Sequence, residues 1–327
     1  MKAILIKPTQ GISTLELAEI DPPVLSPADI RIRVHAASVN RADLLTRSGA
    51  HIPSTTAGPP VAGLDAAGEV IEVGADVTSF KCGDRIMAMV AGGLAEEVVL
   101  PAAMAITVPS AWSWVEGAAA VLGLMTEFNA LAVAGHMTAG DTVVVHAATS
   151  GVGTQAVQLA RELGAAVVIG TSRSPRPVGP LKELGLDHLI VTSENDFDEE
   201  ILRITDGVGA DVILDHVGGP YLASNIRAAA VRGRIVGVGR LGGSEGILDM
   251  EELARKRLEI IGTTFRTRTP EEKIQVVRDL CAGVNLDDAA DRLRPVVDQI
   301  FPWTRALEAQ EALNASDHIG KIVLQVQ

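Results

Sequence analysis

The sequence predicts an α/β protein of two domains, a β-rich part and a doubly wound parallel sheet. Three observations predict it. At 327 residues the chain exceeds one ordinary domain of about 100–200 residues and falls short of three. Its first third carries short apolar runs between proline and glycine turns, and from Thr138-Ala-Gly-Asp141 onward buried apolar runs alternate with segments of helix length.

In order along the chain, Ile30, Ile32 and Val34 alternate with Arg31 and Arg33, the period-2 pattern of a half-buried strand. Gly68 to Gly74 is a second apolar run, and Pro22-Pro23, Pro27, Gly58-Pro59-Pro60 and Cys82-Gly83-Asp84 supply the turns. Ser113-Trp-Val-Glu116 is a Ser-x-x-Glu capping box, in which hydroxyl and carboxylate satisfy orphan backbone donors, and it predicts a helix. Strands are then expected at Thr142–Ala147, Ala166–Thr171, Leu189–Thr192, Val212–His216 and Gly233–Val238, with Leu258–Phe265 a candidate for the last. Thr269-Pro-Glu-Glu272 reads as a helix start with proline at the first position, and Ile322-Val-Leu324 as a closing strand.

Hydrophobic residues make up 47% and charged residues 21%, enough apolar material for a core and contrary to disorder. The net charge of −13 repels phosphate backbones and anionic membranes, which argues against general nucleic-acid binding. Cys82 and Cys281 are too few for a disulfide framework or a cysteine-rich metal lobe, so a cytoplasmic setting is expected. The start is too short in apolar residues for a signal peptide. The most apolar stretch, Gly117 to Met125, ends at Thr126-Glu127, short of the roughly 18 residues of a membrane span.

Val143-Val-Val-His-Ala-Ala-Thr-Ser-Gly-Val-Gly-Thr154 carries the most chemistry. A β-rich run stops at small residues and an apolar-periodic helix begins at once, the setting in which backbone N–H groups and a helix dipole bind a pyrophosphate. Ser150, Gly151, Val152 and Gly153 form the expected cradle. The pattern is not GxGxxG, and its strand–turn–helix context carries the argument. An acid at the end of the next strand would bind the ribose 2′-hydroxyl of NAD, but the chain reads Ile169-Gly-Thr-Ser-Arg-Ser-Pro-Arg176. NADPH is favoured: Arg173 and Arg176 can reach a 2′-phosphate and Ser172 and Ser174 can hydrogen-bond it, the alternative being solvated loop cations.

These residues resemble the medium-chain dehydrogenase/reductases, and within them the zinc-free quinone oxidoreductases related to zeta-crystallin. The resemblance rests on Asn40-Arg-Ala-Asp-Leu-Leu45, Gly63-Leu-Asp-Ala-Ala-Gly68, Gly83-Asp-Arg85, Ser150-Gly-Val-Gly153 and Gly320-Lys-Ile-Val323 in family order. Asp215-His-Val-Gly-Gly219, Gly237-Val-Gly-Arg-Leu-Gly-Gly243 and Thr264-Phe-Arg-Thr-Arg268 look most like the p53-inducible quinone oxidoreductase subgroup.

The resemblance implies a GroES-like catalytic domain over 1–121, a Rossmann NADP-binding domain over 122–262, and a return to the first over 263–327. It further implies a cofactor in the interdomain cleft and a homodimer formed through the dinucleotide domains. It places Asn40, Thr126 and Phe265 around the nicotinamide, Gly239, Arg240 and Leu241 at the cofactor, and Lys321 near its phosphates. For Asn40 the alternative is an amide bonding its own loop, and for Lys321 a solvated strand cation. His51 is a candidate proton donor or a surface-loop histidine, and Asp43 is read as structural. His146 and His216 are read as hydrogen-bonding residues, not metal ligands.

Zinc relatives need a cysteine near Asn40 and a Gly-His-Glu motif where this chain has Gly63-Leu-Asp65, so no zinc is expected. The implied activity is NADPH-dependent reduction of quinones or other conjugated carbonyls. The alternatives are an enone or enal reductase with little quinone activity and a non-catalytic NADPH-binding or RNA-associating protein, against whose RNA form the net charge of −13 counts.

Overall fold

The structure, a computed structural model, describes residues 1–48, 60–174, 178–194, 196–315 and 318–326. The chain divides into two compact units, Met1–Leu122 with Val277–Gln327, and Gly123–Val276. Its elements run β1 (Lys2–Lys7), β2 (Thr14–Glu19), β3 (Asp29–Val39), α1 (Arg41–Arg47), β4 (Asp65–Val73), β5 (Arg85–Met89), β6 (Glu97–Pro101), β7 (Ile106–Thr107) and α2 (Trp114–Phe128). There follow β8 (Thr142–Val145), α3 (Gly151–Glu162), β9 (Val167–Ser172), α4 (Val178–Glu183), β10 (His188–Val191), α5 (Phe197–Ile204), β11 (Ala210–Asp215), α6 (Leu222–Ala228) and β12 (Ala229–Gly237). The chain closes with α7 (Met250–Lys256), β13 (Glu259–Gly262), α8 (Pro270–Gly283), β14 (Val297–Pro302), α9 (Ala306–Ala315) and β15 (Lys321–Gln325).

In the first unit β1 and β2 form an antiparallel pair, and a larger sheet runs β14-β15-β3-β4-β5-β7 with β6 also on β3. The alternation read in β3 is its burial pattern: Ile30, Ile32 and Val34 are fully buried, while Arg31 turns outward to Glu72 at 2.8 Å. A Cβ on Gly68 would lie 2.1 Å from the carbonyl oxygen of Arg33, so the close approach of β4 to β3 requires glycine there. β15 lies antiparallel to β3 with Ile322 opposite Val39, which carries Lys321 to the β3–α1 junction.

The second unit holds one parallel sheet in the order β10-β9-β8-β11-β12-β13. This is the doubly wound order, and the direction of winding reverses between β8 and β11, at whose carboxyl ends such folds bind ligands. Val144, Ile169, Ile213 and Ile235 lie in its core with Phe197, Ile201 and Ile226 from the covering helices. The sheet ends at Gly262 and the compact unit runs on to Val276. Past the sheet, the Arg268 guanidinium donates to Asn129 Oδ1 at 2.8 Å within the same unit.

The expected caps form. Ser113 N–H and Oγ donate to Glu116 at 2.6 and 2.8 Å, and Thr269 N–H donates to Glu272 at 2.7 Å. The helix that Ser113 starts runs longer than the apolar run suggests. Trp114–Ala134 spans 21 residues at a hydropathy of 1.5, long and apolar enough to cross a membrane by length and composition, with 72% of its apolar window buried as in a core helix. Glu127 does not end the run because it is buried against His216.

Candidate cofactor and active site

β8 delivers His146 to the turn, and Ala147 then takes the left-handed conformation with φ of 52°, a costly one for a residue with a side chain. Ser150 N–H closes the turn on the Ala147 carbonyl at 2.9 Å. The Ser150 hydroxyl caps α3 by accepting from Gly153 N–H at 3.0 Å, which leaves its O–H to donate. A Cβ on Gly153 would meet the Ala147 oxygen at 2.2 Å, so only glycine lets α3 start this close to the turn. Gly151 and Val152 are the first helical residues, and their N–H groups have no carbonyl one turn back within α3.

At the end of β9, Ser172 is buried and its hydroxyl accepts from Ser174 N–H at 3.3 Å. Arg173 is exposed, and its guanidinium has no partner among the described residues. Arg176, His51 and the Gly58-Pro59 part of a predicted turn lie outside the described residues. Gly239 N–H donates to the Asp215 carbonyl at 3.0 Å, and Leu241 N–H donates to the His216 carbonyl at 3.3 Å. Arg240 and Leu241 are exposed. Thr126 on α2 and Phe265 are half-buried, and the Arg268 guanidinium lies 5.3 Å from the centre of the Phe265 ring.

Beneath the turn lies a buried lattice of two histidines. Asn225 donates its amide to Asp215 Oδ2 at 3.0 Å, which leaves Asn225 Oδ1 to accept from His146 Nε2 at 2.7 Å and His146 Nδ1 to accept from the Thr171 hydroxyl at 2.9 Å. Burial above all lowers the pKa of this imidazole to about 4, so it is neutral near pH 7. Asp215 Oδ1 accepts the amides of Val217 and Gly218, both at 2.8 Å. His216 Nδ1 donates to the His146 carbonyl at 2.8 Å and its Nε2 faces Glu127 Oε1 at 3.0 Å. Both histidines thus hold hydrogen bonds, as the sequence reading had them.

The first unit holds a second buried cluster. Asp65 Oδ1 accepts Ser38 N–H at 2.5 Å, and its Oδ2 accepts the Ser38 hydroxyl at 2.6 Å and the Asn40 amide at 2.8 Å. Lys321 Nζ donates to Ser38 Oγ at 2.8 Å and Asn40 Oδ1 at 2.6 Å. Asn40 is therefore held on both sides by its own loop and its neighbours. Lys321 is 4% exposed and its ammonium is drawn inward by Asp65 and Asp43, so it is not the solvated strand cation of the alternative. Asp43 caps α1, accepting Asn40 N–H at 2.8 Å. Sequence reasoning missed the pairings of Asp65 and Glu127; the one local signal is an acid within an apolar run.

Residues 151–282 match the zinc-binding dehydrogenase family and residues 26–110 the alcohol dehydrogenase GroES-like domain. The chain is 31% identical over 326 residues to phthioceranic/hydroxyphthioceranic acid synthase of Mycobacterium tuberculosis, a match that takes in 98% of this chain and 15% of that protein's length. Among solved structures it resembles an NAD-dependent alcohol dehydrogenase at 30% identity and a TM-score of 0.87, over 100% of both chains. It also resembles a quinone oxidoreductase of Pseudomonas syringae pv. Tomato DC3000 at 28% identity and a TM-score of 0.84, over 99% of both chains. Mycobacterial Rv1454c complexed with NADPH matches at 28% identity and a TM-score of 0.85, over 99% of this chain and 100% of that one.

Asp43 gives the first unit a pH signature. Burial, reinforced by Asp65 and opposed by the Asn40 N–H and Lys321, raises its carboxyl from 3.8 to about 7. Between those values the folded chain keeps a proton that the unfolded chain releases, so this group's contribution is complete at low pH and is lost as pH rises toward 7. Urea unfolding across that window is expected to show stability falling by up to roughly 1 kcal/mol per pH unit from this group, with the fall absent in Asp43→Asn. An equal slope in both proteins contradicts the assignment.

Proposed function

The chain belongs to the medium-chain dehydrogenase/reductase superfamily, and from that premise we propose that it is an NADPH-dependent reductase of quinones or other conjugated carbonyls that works without zinc. One observation carries the reading: an ammonium sits where zinc relatives need metal ligands. Asp65 is taken up by Ser38 and Asn40, Lys321 bonds both of those residues, and no group of three His, Cys, Asp or Glu suited to a metal occurs among the described residues. This donor set does not fit zinc. Alcohol oxidation then lacks the Lewis acid that lowers an alcohol's pKa. A quinone or enone is already electrophilic and needs only hydrogen bonds for the developing oxyanion.

Likeness to both an NAD-dependent enzyme and an NADPH complex leaves the cofactor choice to the residues. Thr171-Ser-Arg-Ser174 offers no acid to a 2′-hydroxyl and offers a 2′-phosphate a guanidinium that has no partner among the described residues. Gly151 and Val152 would hold the pyrophosphate, with Thr126, Gly239, Arg240, Leu241 and Phe265 completing the proposed set. When bound, NADPH supplies the hydride. The proton comes from solvent or His51.

We also place the protein in the cytoplasm as a homodimer built on the second unit. Support comes from β13, an edge strand with Ile260 exposed, and from the exposed Ile247 and Met250 before it. Light scattering is expected to give twice the 34.2 kDa chain mass, and a monomer would contradict this.

A charge-assisted hydrogen bond contributes about 1.5–3 kcal/mol, so Arg173→Ala is expected to weaken NADPH binding about tenfold or more while leaving NADH nearly unchanged. Initial rates with both nucleotides against quinones and enones check this. An unaltered NADPH/NADH ratio in both Arg173→Ala and Arg176→Ala contradicts the 2′-phosphate assignment.

A further inference from the structure

The buried pair Glu127 and His216 has no part in the reading so far, yet His216 touches two of the segments assigned to the cofactor. Its Nδ1 donates to the carbonyl of His146, the residue before the left-handed Ala147 that opens the phosphate turn. Its own carbonyl accepts Leu241 N–H at 3.3 Å, and a Cβ on Gly239 would lie 2.4 Å from that same oxygen. Glu127 follows Thr126 on α2, is fully buried, and leaves Oε2 without a hydrogen-bond partner among the described residues.

The proton count follows from geometry. Nδ1 faces a carbonyl and must carry hydrogen, so it stays protonated in every state of the pair. Nε2 faces a carboxylate oxygen at 3.0 Å, and that contact is a hydrogen bond only while one proton lies between the two atoms. With it the pair is neutral overall. Without it a buried negative charge faces an imidazole lone pair beneath the site of an anionic ligand, an arrangement that costs free energy on both counts. The other charged or titratable groups facing His216 are Asp215, its neighbour on β11, which raises its pKa, and His146 at the end of β8, which is neutral near pH 7. Burial alone would lower the His216 pKa, but attraction and hydrogen bonding by Glu127 and the bond to the His146 carbonyl raise it above 6.5. The pair therefore holds its proton more tightly than an ordinary imidazole does and gives it up as pH rises.

We propose that His216 and Glu127 are positioning residues of the dinucleotide site, and that the one proton they share couples cofactor affinity to pH. The inference rests on the cofactor reading above. An anionic ligand binds better to the neutral pair than to the negative one, and by linkage its binding takes up a proton in the alkaline range.

The test is the Kd of NADPH, followed by fluorescence from about pH 6 to about pH 9.5, for the wild type and Glu127→Gln. The variant keeps the shape and a hydrogen bond but has no shared proton to lose. Wild-type affinity is expected to fall on the alkaline side, approaching about tenfold per pH unit, while Glu127→Gln stays within a few-fold of its neutral value. Titration of the ligand's own phosphate and of Asp43 is common to both proteins and cancels in the comparison. Calorimetry of wild-type binding in two buffers of different ionisation enthalpy is expected to show proton uptake on the alkaline side, and it needs no variant. Parallel pH profiles, or binding without proton uptake, overturn the coupling. Absence of wild-type NADPH binding at every pH overturns the cofactor reading itself, and this inference with it.

Discussion

The hydrogen bond from His216 to the carbonyl of His146 joins the two strands between which the parallel sheet reverses its winding. A doubly wound sheet opens a crevice at that point, and the chain there must end two strands, turn twice and still satisfy every buried backbone group. Here side chains do much of that work. His146 bonds Thr171 on β9 and Asn225 on α6, Asn225 bonds Asp215 on β11, and Asp215 takes up the amides of Val217 and Gly218. The small residues of the phosphate turn lie directly after His146 in sequence. Their backbone can adopt a strained conformation at Ala147 because the strand end before it is held on several sides.

The first unit solves a different problem, that of charges without water. Lys321, Asp65 and Asp43 are all buried, and burial pushes the ammonium down and both carboxyls up. Attraction across the cluster and the donors of Ser38 and Asn40 oppose that push. Clusters of this kind contribute little net stability when intact, but removing one member costs about 3–5 kcal/mol by leaving the others uncompensated. Asn40 links the two carboxylates, its backbone N–H on Asp43 and its amide on Asp65. The junction between β3 and α1 at Asn40 is thereby fixed by charge.

Much of this was legible in the sequence, and the reasons are local. The strands of the second unit are continuous apolar runs between breakers, the two capping boxes each span four residues, and the phosphate turn is a contiguous word of small residues. The acid-free end of β9 is likewise read in place. What the sequence hid is pairing at a distance. Glu127 meets His216 across 89 positions and Lys321 meets Asn40 across 281, and no periodicity records either contact. In sequence Glu127 marks the end of an apolar run and Lys321 can be a solvated strand cation, whereas the fold buries both charges and supplies each with a partner.

In the proposed reaction hydride passes from NADPH to a conjugated carbon. NADPH deuterated at the transferred position, incubated with the protein and an enone, tests it most directly through mass spectrometry or NMR of the product. The account predicts deuterium on the β-carbon of the saturated ketone. Deuterium on the carbonyl carbon of an allylic alcohol would make the protein a carbonyl reductase and contradict the account.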